Sequence, residues 1–116
     1  MKQIKYTPDA ANKLREINRD ILLQYGSQKA KGIMGKITGA IRELICNESI
    51  GPSVEAVFGV ECDYRYLFVA RNYVFYRIEE DYIRIVNIYH EREDFMWLLF
   101  GIETTSAETI DYWEED

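Results

Sequence analysis

Between positions 64 and 92 the sequence interleaves two kinds of side chain that suit phosphate and base chemistry. Arg65, Arg77, Arg84, His90 and Arg92 alternate with Tyr64, Tyr66, Tyr73, Tyr76, Tyr82 and Tyr89. Guanidinium groups pair with phosphate oxygens and tyrosine rings stack on bases, so this mixture on a sheet surface suits RNA. The same two residue types anchor protein interfaces, and tyrosine is also an ordinary strand former. His90 is the one histidine of the chain, and only a side chain of this type takes up and releases a proton near neutrality without a perturbed pKa. A structural role at a strand end is the alternative. No glycine-rich phosphate loop precedes a helix, and no Ser or Cys sits in a nucleophile motif. Glu79, Glu80 and Asp81 fall in a turn, where solvation accounts for them. A lone histidine with Cys46 and Cys62 makes neither a metal cage nor a disulfide framework. No metal or cofactor is expected.

These residues have to be positioned by a small set of elements. Ile4 and Tyr6 alternate as in a short edge strand. Thr7-Pro8-Asp9 then starts a helix, with Thr7 as N-cap, Pro8 in the first turn and Asp9 favourable to the dipole. Ala10, Leu14, Ile17, Ile21, Leu22 and Tyr25 follow as one apolar stripe. Gly26 ends that helix and Ser27 is placed to cap the next. The second helix has its own stripe of Ala30, Ile33, Met34, Ile37, Ile41, Leu44 and Ile45, so the two form an antiparallel hairpin. Residues 46–56 read as loop. Three strands are expected at 64–70, 73–78 and 82–90, joined by turns at Arg71-Asn72 and Glu80-Asp81 into an antiparallel meander. In the last strand, alternation puts Ile83, Ile85 and Tyr89 on one face and Arg84, Val86, Ile88 and His90 on the other. Phe95, Leu98, Leu99 and Ile102 mark a short final helix ending near Gly101. The fold class is therefore α+β, a helix hairpin on one face of a mostly antiparallel sheet of about four strands. The other face is left open.

With 116 residues the chain holds one core, and its 47% apolar and 29% charged content fits a compact fold. No apolar run reaches the ~18–20 residues of a membrane span, and the start leads into no signal-peptide core, so a cytoplasmic domain is expected. Charge is unevenly placed. Residues 1–42 carry nine Lys and Arg against three acids, residues 43–102 five Arg against eleven acids, and residues 103–116 six acids and no base. The low overall net charge of −6 thus hides a basic N-terminal third. Residues 1–102 are read as the single domain and 103–116 as an acidic tail. The tail also holds Ile110, Tyr112 and Trp113, which suits docking on the basic helix hairpin, whereas a frayed terminus is the plainer alternative. Inside the second helix, Gly32, Gly35 and Gly39 share the face away from the apolar stripe. Each costs about 0.5–1 kcal/mol of helix stability relative to Ala. Either nothing packs there, or a partner's backbone approaches closely.

The run YRYLFVARNYVFYRIEEDYIRIVNIYHEREDFMWLLFG, together with the strand, helix hairpin and meander order over about residues 2–101, resembles the RelE/ParE toxins of type II toxin–antitoxin (plasmid-stabilisation) systems. The matching pieces are Tyr64-Arg65, Tyr73 to Ile78, and His90-Glu91-Arg92-Glu93-Asp94. The resemblance implies a growth-arresting toxin with a cognate antitoxin as partner, and a homodimer is possible. It also implies one of two targets. RelE-like members cut mRNA on the ribosome, and for that role Arg65, His90 and Arg92 would be the catalytic residues. ParE-like members act on DNA gyrase. The positions where RelE-like members carry further cations fall here at Leu67 and Tyr73, which removes charge stabilisation from an RNA-cleaving transition state. The ParE-like, non-nuclease reading is therefore favoured, with an RNA-cleaving toxin and an inactive binding module as alternatives. Binding residues on this view are Tyr73, Arg77, Arg84 and Tyr89 on the sheet and Gly32, Gly35 and Gly39 on the helix.

Overall fold

The computed structural model describes residues 2–101. Its order is β1 (Gln3–Tyr6), α1 (Pro8–Tyr25), α2 (Ser27–Glu43), α3 (Val54–Phe58), β2 (Arg65–Val69), β3 (Asn72–Ile78), β4 (Tyr82–His90) and α4 (Phe95–Phe100). The four strands make one sheet in the order β1-β4-β3-β2, antiparallel except for β1, which pairs in parallel with β4. The α+β expectation holds. The expected tail, with Tyr112 and Trp113, lies outside the described residues.

Thr7 is the hinge between strand and helix. Its hydroxyl oxygen accepts from the Ala10 N–H at 3.1 Å, as an N-cap should, and donates to the Val86 carbonyl at 2.6 Å. Gly26, at φ 92°, ends α1 and is also the N-cap of α2, which has no side-chain cap; Ser27 is already helical and does not take the capping role expected of it. The apolar stripes of the two helices pack on the sheet through Ala10, Ile37, Ile41 and Leu44 against Val74, Tyr76, Ile83, Ile85 and Ile88. The stripe of α1 does not run its full expected length. Leu22 and Tyr25 remain 44% and 66% exposed.

A β-bulge changes which residues of β4 face the helices. Phe75 pairs with Asn87 but Tyr76 pairs with Ile85, so Val86 is the extra residue. One inserted residue reverses the alternation beyond it. Ile83 and Ile85 face the helices as expected, but Ile88 joins them and Tyr89 turns to the opposite face, the reverse of simple alternation.

That opposite face is not open. Val54, Phe75 and Tyr89 are buried there beneath Phe58 of α3 and Phe95, Leu99 and Phe100 of α4, with Tyr64, Tyr66, Tyr73 and Val86 packed alongside. The helix α3 was expected to be loop in its first residues. Ser53 caps it through the Ala56 N–H, and Gly59 at φ 75° closes it after one turn. The β2–β3 turn is also one residue earlier than expected. Val69 pairs with Asn72, which leaves Ala70 and Arg71 as a two-residue turn with both φ angles positive, 51° and 65°. Asn72, only 4% exposed, holds this turn by donating to the Ala70 carbonyl at 2.8 Å. The β3–β4 turn falls at Glu80-Asp81 as expected, closed by Glu79 N–H to the Tyr82 carbonyl at 2.9 Å.

A tyrosine hydroxyl from the sheet ties down the segment between α2 and α3. Tyr76 accepts from the Gly51 N–H at 3.0 Å and donates to the Glu48 carbonyl at 2.7 Å. A Cβ on Gly51 would collide with the Tyr66 carbonyl and with the Tyr76 ring. Replacing Tyr76 with Phe leaves two backbone groups unpaired, so a loss of about 1–3 kcal/mol is expected in urea unfolding. Gly51→Ala should cost at least as much.

Candidate functional site

The four arginines and His90 singled out on the strands do not converge on one point. Arg65 opens β2, and its guanidinium donates to the Gly51 carbonyl at 2.7 Å and the Ser49 carbonyl at 3.4 Å. It is a clamp on the α2–α3 segment, beside the Tyr76 hydroxyl. His90 lies at the far end of the sheet. Arg65 is opposite Tyr76, Tyr76 is opposite Ile85, and His90 is five residues further along β4. At 3.3 Å per residue and 4.8 Å per strand, this is about 16 Å along the sheet and about 10 Å across it. Acid–base groups working on one bond need to approach within hydrogen-bond reach of it. Arg92 is near His90, and its backbone N–H donates to His90 Nδ1 at 3.2 Å, which makes the imidazole part of a turn.

Arg77 and Arg84 do meet, as a directly opposed cross-strand pair on the aromatic face. Like charges so placed repel, and neighbouring groups offset this. Glu79 lies 3.7 Å from Arg77 and 3.5 Å from Arg84, and Asp63 lies 3.1 Å from Arg77. Arg84 also donates to the Tyr82 hydroxyl at 2.6 Å, and Lys5 sits 4.5 Å above the Tyr82 ring. The tyrosines are similarly committed. Tyr73 stacks among Phe68, Phe75 and Phe95, with centroids 4.8–6.2 Å away. Tyr89 is 6% exposed, with its hydroxyl accepting from Asn87 at 2.9 Å. Burial raises its pKa, against the opposing effect of that hydrogen bond.

The structure instead assembles a groove that sequence spacing does not reveal. About 600 Å³ in volume, it runs between the helix hairpin and the β2–β3 turn. Ile17, Ile21 and Ile33 give it apolar walls, and Lys13, Lys29 and Arg71 face Glu16, Asp20 and Glu93 around it, with Asn72 and His90 at one end. Opposite charges are balanced and no acid–base pair stands apart, which suits a protein segment better than a reacting small molecule. The local signal for part of it was the spacing from His90 to Glu93: the Glu93 carboxylate accepts from the His90 N–H at 2.8 Å and from Lys13 at 2.8 Å. The contributions of α1 and of the turn are long-range and leave no such trace.

The glycines of α2 meet nothing among the described residues. A Cβ on Gly32, Gly35 or Gly39 would enter open space. Packing among the described residues does not require them.

The chain matches the model of the family described as "ParE toxin of type II toxin-antitoxin system, parDE" over residues 4–95. It belongs to the ParE toxin family. Among solved structures, the fold is similar to that of "Chromosomal ParDE TA system from P. aeruginosa", with a TM-score of 0.64 and 22% identity over 78% of this chain and 96% of that one. No curated protein matches. The ParE-matched region ends at Phe95, so the body of α4 and everything beyond lie outside it. No helix among the described residues is long and apolar enough to cross a membrane.

Glu93 offers a test of how the groove is held. Partial burial pushes its pKa up, but the Lys13 hydrogen bond and charge and the His90 N–H outweigh this, leaving it below the ordinary 4.5. A carboxyl lowered in the folded state contributes stability above pH 4.5 and loses it as pH falls through the folded value. Glu93→Gln should therefore be less stable than the parent near neutrality, and the gap should close in acid. Thermal melting from pH 7 to pH 3 checks this.

Proposed function

We propose that this ParE family toxin arrests growth by binding a protein target, with DNA gyrase the target implied by its resemblance, and not by cleaving RNA. The observation that carries this reading is the separation of Arg65 from His90 and Arg92 by the length of the sheet. An RNA-cleaving site needs cations around the reacting phosphate and a base within hydrogen-bond reach of the attacking hydroxyl. Here Arg65 binds two carbonyls, Arg77 and Arg84 share Glu79, and Tyr64, Tyr66, Tyr73 and Tyr89 are packed under α3 and α4. What is left accessible suits protein contact: the groove beside the hairpin, and Trp97 and Leu98 on the outer side of α4, each at least half exposed. The experiment is induction of His90→Ala alongside the parent in bacteria. Growth arrest should persist within about threefold, because no proton transfer is required. Loss of arrest by the 10²–10⁴-fold typical of an acid–base group would favour the nuclease instead.

An antitoxin is the partner that membership of this family brings with it, as in the P. aeruginosa system similar in fold. The outer face of α2, where Gly32, Gly35 and Gly39 would admit a Cβ freely, is the surface we assign to it. Replacing Gly35 and Gly39 with Leu should leave the fold intact and weaken the toxin–antitoxin complex at least about tenfold, equivalent to 1.4 kcal/mol. Unchanged affinity in a titration would remove that face from consideration.

A further inference from the structure

β1 lies at one end of the strand order, and its outer edge is unpaired. The Thr7 N–H donates to the Ile85 carbonyl at 3.1 Å, so the odd-numbered residues of β1 turn their main-chain groups towards β4. The N–H and carbonyl groups of Ile4 and Tyr6 therefore point away from the sheet. None of these four has a hydrogen-bond partner among the described residues. The opposite edge is different. Along the start of β2 the Val54 N–H donates to the Tyr64 carbonyl at 3.0 Å, and the Tyr66 N–H to the Pro52 carbonyl at 3.2 Å. Beside the bare edge of β1 runs a groove of about 830 Å³, between that strand and α2. Ile4, Tyr6 and Ile45 give it apolar surface, Lys2 and Arg42 are its charges, and no carboxylate lines it. The groove beside the β2–β3 turn, by contrast, balances both signs.

We propose that this edge takes up an extended, acidic segment of a partner protein as a fifth strand of the sheet. Ile4 and Tyr6 supply two donors and two acceptors for main-chain pairing, which is what strand addition needs. Charge then selects the occupant. Side chains of an added strand alternate between the two faces of the sheet. On the helix side they meet Ile4, Tyr6 and Ile45, with the Arg42 guanidinium beside them. Burial raises the Tyr6 pKa and the nearby Arg42 charge opposes that rise, which agrees with this placement. On the other side they meet Lys5, whose ammonium sits 4.5 Å above the Tyr82 ring. Neither Arg42 nor Lys5 has a carboxylate partner among the described residues. The acids close by are committed, Glu48 to Lys2 at 2.8 Å and Glu79 to Arg77 and Arg84. A carboxylate on either face of the incoming strand therefore finds a cation. A second copy of β1 does not fit as well. It brings Lys2 and Lys5 and no acid to the same edge, and like charges across paired strands repel.

The test uses the full chain free of any antitoxin, so it stands apart from the face of α2 assigned to that partner and from the identity of the target. The probe is the peptide acetyl-Glu-Val-Glu-Val-Glu-Val-Glu-amide, and the readout is amide hydrogen exchange of the ¹⁵N-labelled toxin. Without peptide, the Ile4 and Tyr6 amides should exchange at least about tenfold faster than those of Lys5 and Thr7, which face β4. Saturating peptide should slow the Ile4 and Tyr6 amides at least about tenfold, and a peptide with lysine in place of glutamate should not. Lys5→Glu and Arg42→Glu, both at exposed positions and so compatible with the fold, should together weaken binding of the acidic peptide at least about tenfold. Several results would each overturn the proposal. One is no protection at millimolar peptide, or binding that leaves the Ile4 and Tyr6 amides exchanging freely, as charge attraction without strand pairing would. Another is equal protection by the lysine peptide. The last is protection already present in the free toxin, which points to a second copy where it grows with protein concentration and to the chain's own acidic end where 1 M salt removes it.

Discussion

The bulge at Val86 is the feature on which the two-sided architecture rests. An extra residue in β4 leaves a carbonyl outside the ladder, and the Thr7 hydroxyl takes it at 2.6 Å. The same oxygen accepts from the first turn of α1. One threonine thus ends β1, starts α1 and fixes the point where β4 reverses its faces. Up to the bulge, odd-numbered residues of β4 point at the helices; after it, even-numbered ones do. Ile88 is thereby added to the core under the helix hairpin, and Tyr89 to the aromatic layer under α4.

Functional consequences follow from that reversal. His90 falls on the helix side, at the end of the groove lined by α1 and α2, and not beside Arg77 and Arg84 on the aromatic face. The aromatic face, which would otherwise present tyrosines to solvent, is closed by Phe58, Phe95 and Phe100. Rings packed on one another at 4.8–6.2 Å, with Phe75 fully buried among them, leave little stacking surface for a nucleotide base. Both changes favour recognition of protein surfaces over chemistry on RNA.

Much of this was legible in the residues. Both helices, their hairpin and the three meander strands follow from periodicity, and the Thr7-Pro8-Asp9 start from cap chemistry. Three features were not legible. The bulge obeys no local signal, because Ile85-Val86-Asn87-Ile88 alternates acceptably in either register until Thr7 is brought to it across the fold. The turn at Ala70-Arg71 uses two non-glycine residues at positive φ, held by Asn72 and by Glu91, whose N–H donates to the Arg71 carbonyl at 2.9 Å. The third is the role of Arg65. Its residue type and position in the Tyr-Arg pair point to phosphate chemistry, whereas the carbonyls of Ser49 and Gly51 that it binds come from a segment with no periodic pattern.

Purified protein incubated with programmed ribosomes in one reaction, and with DNA gyrase and relaxed plasmid in another, tests the central claim most directly. A binding toxin of this architecture should leave the mRNA intact while reducing supercoiling or trapping gyrase on cleaved DNA. Ribosome-dependent cuts in the mRNA that disappear in the His90→Ala protein would contradict it.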